Sequence, residues 1–373
     1  HPPSLRPKRR MTWSSQDVRW MTRALELASR GRFTTWPNPM VGCVVVQDDR
    51  LLAEGWHRQH GKGHAEVNAL AQLAPSVDLS RATAYVTLEP CSHTGKTPPC
   101  ADLLVSRGVG RVVVAMKDPN PLVAGRGLER LQHAGATCEV GCLEGEARRL
   151  NAAFVHIITK QSPWVTLKWA QSSDGYMDGR TSPAIGAGGW PITGAASRRW
   201  THVLRARHDA LLVGMRTWLV DTPSLTTRDA PGPSPRPLVL TRGQTPRPES
   251  AKASSNWKAA PVLVHPDSGA SEQALDTWRQ AGYETLALSS RAMTTAWWSD
   301  LRQELDCAAV LVEGGARVAE LALATSSWHE LHVLQSPKSL GTGLSAPSLP
   351  KSSPSQRQAC GEDDVQIWEN LAT

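Results

Sequence analysis

The chain has 373 residues, 40% of them hydrophobic and 20% charged, which is enough apolar content to bury a core and enough length for about two domains. No apolar run approaches the ~20 residues that span a bilayer, and neither a glycine period nor a sustained heptad is present, so a helical membrane protein, a collagen and a coiled coil are excluded. The net charge is +7, but Arg6, Lys8, Arg9 and Arg10 supply four of those positives; the mildly basic remainder suits an anionic small substrate or cofactor better than a nucleic-acid face.

Residues 1–13 read as a basic N-terminal extension, expected to be disordered, with Met11 a plausible initiator and no apolar core of a secretory signal. Val18 to Ala28 carries apolar residues at helical spacing, and Gly31 follows as a stop. Val41 to Val46 is a β-branched strand run that contains Cys43. A helix follows His64 and stops at Pro75; Thr83 to Leu88 is a strand, Ala101 to Ser106 a helix, Val112 to Met116 a strand and Gly125 to Ala134 a helix. Strands separated by helices predict a three-layer α/β/α domain over residues 14–150. Residues 151–162 read as a linker ending before Pro163. The second α/β domain, 163–373, shows strands at Trp164 to Leu167, Ala210 to Val213, Leu238 to Leu240, Val262 to Val264 and Ala309 to Val312, with a helix from Ser197 to Ala206. Beyond Pro350 the Ser/Pro/Gln-rich text reads as a loose tail.

Seven cysteines, an odd number in a long chain, argue against a disulfide framework and for a reducing cytoplasm. Two of them, with a histidine and a glutamate, carry chemistry. His64-Ala65-Glu66 opens a helix, and Pro90-Cys91 precedes Cys100 in PCSHTGKTPPC. One imidazole and two thiolates are the three protein ligands of a catalytic zinc with an open fourth position. Zinc lowers the pKa of bound water from about 15.7 to about 7. Glu66, in the first helical turn, is placed to move a proton without ligating the metal. This order, His-x-Glu followed by Pro-Cys and a second Cys, is that of zinc nucleobase deaminases, with a longer spacing between the cysteines. Cys138 and Cys142 form a further CxxxC pair with no third ligand nearby.

Four stretches, RGRFTTWPNPMVGCVVV, GHAEVNAL, TLEPCSHTGKTPPC and DPNPLVAGRG, resemble the deaminase half of the bifunctional riboflavin-biosynthesis deaminase–reductase family. The resemblance implies a cytidine-deaminase-like fold and contacts to the substrate from Asn38, His57, His93, Lys96, Asp118 and Asn120. In the second half, Lys168 to Gly175, Arg205 to Ala210, Val213-Gly214-x-x-Thr217, Asp221 to Leu225, Arg228 and Glu313-Gly314-Gly315 resemble the reductase half of that family. That half is similar in fold to dihydrofolate reductase and uses NADPH. By resemblance, Ala170, Thr217, Asp221 and Gly315 face the dinucleotide, while Lys168, Arg205, Leu225, Arg228 and Glu313 face the substrate. The chain departs from the family text at Gly186 to Ile192 and after Gly343.

The implied function is two steps. The 2-amino group of 2,5-diamino-6-(5-phosphoribosylamino)pyrimidin-4(3H)-one is replaced by oxygen with release of ammonia. The ribosyl chain of the resulting 5-amino-6-(5-phosphoribosylamino)uracil is then reduced to ribityl. The implied cofactors are Zn²⁺ and NADPH, and the implied partner is a small-molecule phosphoribosylaminopyrimidine, with no nucleic acid, no membrane and the oligomeric state left open. Two alternatives remain at this point: a nucleic-acid deaminase with a binding module, and a deaminase whose reductase-like half is inactive and serves assembly.

Overall fold

Ser14 starts the first helix by accepting from the backbone N–H of Asp17 (3.0 Å), while the Asp17 carboxylate accepts from the Ser14 backbone N–H (3.4 Å); this capping box satisfies donors that a helix start leaves open. The computed structural model describes residues 13–32, 34–92, 98–242, 257, 259–289 and 293–370. It divides into two compact units, 1–159 and 160–373. The basic extension, apart from Trp13, lies outside the described residues. No described helix is long and apolar enough to cross a membrane.

In the first unit the order is α1 (Ser15–Ser29), β1 (Gly42–Gln47), β2 (Arg50–Trp56), α2 (Ala65–Leu70), β3 (Thr83–Val86), α3 (Cys100–Ser106), β4 (Arg111–Val114), α4 (Arg126–His133), β5 (Thr137–Val140), α5 (Glu144–Leu150) and α6 (Ala152–Thr159). The five-stranded sheet runs β2-β1-β3-β4-β5, with β3, β4 and β5 parallel. Alternate strand residues face opposite layers. Val44, Val46, Tyr85 and Val113 pack with Met21, Ala24 and Leu27 of α1. Cys43, Val45, Ala84, Val86 and Val112 pack against α2, α3 and α4 through Leu70, Leu104 and Leu131. Cys43 is thus a core residue. The sequence reading missed β2, which returns through Asp48 and Asp49, both at positive φ. Such a tight turn is announced by Asn-Gly or Asp-Gly far more clearly than by two aspartates. It also read 151–162 as a linker, whereas α6 occupies Ala152–Thr159 and belongs to the first unit. The helix follows α5 after a single residue, so no polar break marks it.

The second unit contains β6 (Trp164–Gln171), β7 (Tyr176–Asp178), α7 (Ala195–Ala206), β8 (Ala210–Gly214), α8 (Met215–Asp221), β9 (Arg236–Leu240), β10 (Val262–Pro266), α9 (Glu272–Gln280), β11 (Glu284–Leu288), α10 (Thr295–Leu305), β12 (Ala309–Val312), α11 (Ala316–Ala324), β13 (Glu330–Gln335), β14 (Leu344–Ser345), β15 (Gln356–Cys360) and β16 (Asp363–Glu369). Its nine-stranded sheet runs β11-β10-β9-β8-β12-β6-β13-β16-β15. It is parallel from β11 to β13, and β16 and β15 are added antiparallel. Leu167, Leu212, Val264 and Val312 meet α10 and α11 on one face; Leu211, Val213, Val239 and Leu263 meet α7, α8 and α9 on the other. Runs buried on both faces are why these strands read as continuous apolar text.

The tail expectation is wrong. β15 and β16 form a hairpin turning at Gly361, and β16 pairs with β13 along its length. Val365 and Trp368 are buried. Composition misleads because β15 is an exposed edge of polar residues, so only one strand of the pair carries an apolar pattern. Asp363 also accepts from the Gly194 amide (2.8 Å) and the Ser197 hydroxyl (2.7 Å). It thereby supplies the cap that Gly194, the residue before α7, has no side chain to provide.

Candidate active sites

In the first unit three elements converge. His64 is the cap residue of α2, and its side chain makes no capping bond. Cys100 is the first residue of α3, and Cys91 lies in the segment after β3. His64 Nδ1 lies 3.6 Å from Cys91 Sγ and 3.3 Å from Cys100 Sγ, and the three ligand atoms all lie within 4.8 Å of one another. A tetrahedral zinc with nitrogen at about 2.0–2.1 Å and sulfur at about 2.3 Å spaces such neighbours by about 3.6 Å. The donor set therefore fits zinc in both chemistry and spacing. Among the described residues this is the one group of three or more His, Cys, Asp or Glu side chains close enough to hold a metal ion; Cys138 and Cys142 are not part of it.

Glu66 is 3% exposed, and burial pushes its carboxyl above the usual range. Its proton is therefore held more tightly than on a surface glutamate. The Cys91 thiol is pulled down, to about 4, by hydrogen bonding from Cys100, whose backbone amide also donates to Cys91 Sγ (3.3 Å). Cys100 is pushed up by the same contact. Hydrogen bonding to Cys91 raises His64.

Of the residues implied as substrate contacts, four are described. His57 is buried and sets its ring edge-on to His64, with centroids 5.5 Å apart. Its Nδ1 donates to the Gly63 carbonyl (3.1 Å), which leaves Nε2 to accept from Asn38 (3.2 Å). Burial lowers its pKa. Asp118 accepts from the Asn120 amide (2.8 Å) and Asn120 from the Leu122 amide (3.0 Å), two successive Asx turns that fix this loop. His93 and Lys96 lie outside the described residues. Glu89 was not singled out in the sequence. It is buried beside Pro90-Cys91 and accepts from the amides of Asp118 (3.2 Å), Gly125 (2.9 Å) and Gly127 (3.0 Å). Its signal was its place in TLEPC, an acid two residues before a ligand.

The second unit holds a cavity of 1490 Å³ lined by seven of the nine residues implied for the reductase: Lys168, Arg205, Thr217, Asp221, Arg228, Glu313 and Gly315. Ala170 instead packs with Leu334, Val365 and Ile367, and Leu225 joins the core with Trp218 and Leu263. Arg205 donates twice to Glu313 (2.7 and 2.6 Å) and once to the Thr226 carbonyl (3.0 Å). Burial alone would raise Glu313, but Arg205 and Lys168 outweigh it and hold the carboxyl below its ordinary value. Burial lowers Lys168 against the pull of Glu313 and raises Asp221, with Asp178 adding to the rise. His202, which the sequence reading missed, also lines this cavity; its Nδ1 accepts from the Arg228 amide (2.9 Å).

The two glycines after β12 sit tightly against their neighbours. A Cβ on Gly314 would sit 3.0 Å from Val213, and one on Gly315, at φ +64°, would sit 3.0 Å from Thr217 Oγ1. These glycines open a backbone cradle at the start of α11 that suits a pyrophosphate, so cavity and cradle fit a dinucleotide. The Gly186 to Ile192 segment borders the same cavity. It is held by Gly186 N–H to the Leu219 carbonyl (2.9 Å) and Gly188 N–H to the Val220 carbonyl (3.0 Å), and Trp190 lies 5.3 Å beneath the Arg180 guanidinium. Away from the cavity lining, in the turn between α7 and β8, His208 donates from Nδ1 to the Leu204 carbonyl (2.6 Å) and accepts at Nε2 from Thr166 (2.8 Å); burial brings its pKa down to about 4.

Comparison with known proteins matches residues 14–116 to the cytidine and deoxycytidylate deaminase zinc-binding region and residues 163–365 to the RibD C-terminal domain. The riboflavin biosynthesis protein RibD of Aquifex aeolicus is 37% identical over 333 residues, covering 89% of this chain and 90% of its own. The structure of Acinetobacter baumannii RibD superimposes with a TM-score of 0.77 at 33% identity, covering 95% of this chain and 98% of its own. That of a Thermotoga maritima diaminohydroxyphosphoribosylaminopyrimidine deaminase/5-amino-6-(5-phosphoribosylamino)uracil reductase does so with a TM-score of 0.75 at 31% identity, again over 95% and 98%. With both halves matched in one chain, the protein belongs to the RibD family of riboflavin-biosynthesis enzymes, the bifunctional deaminase–reductases.

Proposed function

We propose that His64, Cys91 and Cys100 hold the zinc of the deaminase step and that Glu66 carries its proton. The family's activities are deamination and reduction in riboflavin biosynthesis, with zinc and NADPH as cofactors. Zinc, when bound, supplies a Lewis acid that makes water nucleophilic at neutral pH. Glu66 then has one task in two halves. A carboxylate oxygen takes a proton as water oxygen bonds to the carbon bearing the 2-amino group of 2,5-diamino-6-(5-phosphoribosylamino)pyrimidin-4(3H)-one. The same oxygen returns a proton to the nitrogen as the carbon–nitrogen bond breaks and ammonia leaves. Burial raises its pKa, the direction that strengthens its hold on a proton between the two halves. Asn38, His57, Asp118 and Asn120 orient the pyrimidine and ribosyl groups, with His93 and Lys96 toward the phosphate.

In the second unit NADPH supplies hydride. Thr217, Asp221 and Gly315 face the dinucleotide, with Ala170 behind the strand end. Lys168, Arg205, Arg228 and Glu313 face the ribosyl phosphate, and Leu225 shapes the floor. Guanidinium groups suit a phosphate because they donate in a fork. The ligand is a small anion and not a nucleic acid, and the free cysteines fit a cytoplasmic enzyme.

The observation that carries this reading is the meeting of three ligand atoms within 4.8 Å beside a buried Glu66. The test is to incubate the purified protein with the diaminopyrimidine phosphate, with and without NADPH, and to follow ammonia and the nicotinamide absorbance. Glu66→Gln lowers ammonia release by about 10²–10⁴-fold, keeps its zinc and still oxidises NADPH on the deaminated product. Normal ammonia release from that variant contradicts the assignment.

A further inference from the structure

Glu89 is a carboxylate with 5% exposure and, among the described residues, no cationic side chain pairs with it. Its partners are three backbone N–H groups of one segment, those of Asp118, Gly125 and Gly127. One oxygen takes Gly127 at 3.0 Å; the other takes Asp118 at 3.2 Å and Gly125 at 2.9 Å. Hydrogen bonds to an ionised acceptor are shorter and stronger than neutral ones, so this single side chain closes both ends of a ten-residue loop. The end of the loop is also pressed against the segment after β3 that carries Glu89 and Pro90. A Cβ on Gly127 would fall 2.0 Å from the Pro90 carbonyl oxygen and 3.4 Å from Glu89 Oε1. Glu89 lies two positions before Cys91, and the loop carries Asp118 and Asn120 in their Asx turns.

From these contacts we infer that Glu89 is a positioning residue of the deaminase: it sets the distance between the metal-binding Cys91 and the substrate-holding pair Asp118 and Asn120. The inference rests on the reading above that this pair touches substrate. Glu89 touches neither substrate nor metal and acts through the loop. A small misplacement of binding groups is enough to cost one to two orders of magnitude in a reaction, so the expected effect falls on substrate binding first.

Glu89→Gln keeps the shape but turns an NH₂ donor toward backbone donors. The expected result is a KM for the diaminopyrimidine phosphate raised by roughly tenfold or more, with kcat changed much less, zinc still bound at one per chain, and the NADPH-dependent reaction of the same chain unaltered. Asn120→Ala raises KM by itself, and adding it to Glu89→Gln adds little, because the two changes remove the same contact. Gly127→Ala, which pushes the loop off the Pro90 carbonyl while leaving the Glu89 side chain itself unaltered, gives the same KM defect and guards against a Glu89 variant that fails to fold. Unchanged KM in Glu89→Gln while Asn120→Ala is impaired overturns the inference alone; so does loss of zinc with KM unmoved, or full additivity of the two changes. An unimpaired Asn120→Ala overturns the underlying reading of the substrate contacts instead.

Discussion

The two units solve the problem of holding a charged ligand in opposite ways. In the first, the proposed centre is small: one imidazole and two sulfurs within 4.8 Å of one another, with one buried carboxylate, Glu66, two residues beyond the imidazole. In the second, a cavity of 1490 Å³ is bordered by cations and anions that already satisfy one another, Arg205 against Glu313 above all. A centre with no redundancy fails completely when one group is lost. A broad, self-neutralised cavity fails by degrees, and its losses appear as stability as much as activity.

The sharpest way to break that comparison is Cys100→Ser. An alcohol is a poor ligand for zinc beside a thiolate, so bound zinc, measured by metal analysis, falls at least tenfold and ammonia release with it, while NADPH oxidation persists. Retained zinc and retained deamination would remove Cys100 from the centre. Next in size is Arg205→Met. It leaves Glu313 buried without its partner, which costs about 3–5 kcal/mol, read as a lower denaturant midpoint of tryptophan fluorescence. Eleven of the 15 Trp lie in the second unit, so the signal reports mainly there. The double change Arg205→Met/Glu313→Leu recovers most of that stability but not the reductase activity. Failure of the double variant to recover would show that the pair is more than mutual neutralisation.

The smallest effect separates the units by pH. His208 titrates at about 4 when folded against an ordinary 6.5. The unfolded chain therefore binds the proton first, and stability that is full above pH 6.5 drains away as pH falls toward 4, by about 3 kcal/mol in all. Asp17 in the first unit, at about 2 against 3.8, contributes stability that is lost only below about pH 4. Urea midpoints of the second unit should thus drop between pH 7 and pH 4.5, and His208→Gln should flatten that slope. A wild-type midpoint constant over this range would refute the assignment.

How much was legible in the sequence follows the same division. His64, Glu66, Cys91 and Cys100 fall within 37 residues, and all but Cys91 sit at a helix start, so spacing alone exposes the chemistry. The reductase residues are spread from Lys168 to Gly315 and gather only when β6, β8 and β12 align in register. None is remarkable in its local text, so resemblance was needed to find them. Where the sequence reading failed, one side of an element was silent. β15 has no apolar face, α6 has no polar break before it, and Glu89 is an ordinary glutamate until three amides converge on it.

The cap that Asp363 places on α7 has a consequence for how the chain is made. Its partner Ser197 lies 166 positions earlier, and closing so wide a loop carries an entropic cost that a short one does not. Cys100, by contrast, meets His64 after 36 positions. As the polypeptide leaves the ribosome from its N-terminus, the metal pocket can assemble early, while the helix that bears Arg205 waits for a residue synthesised 166 positions after Ser197. A nascent chain halted before β16 would thus bind metal but offer its unfinished sheet edge to chaperones and proteases.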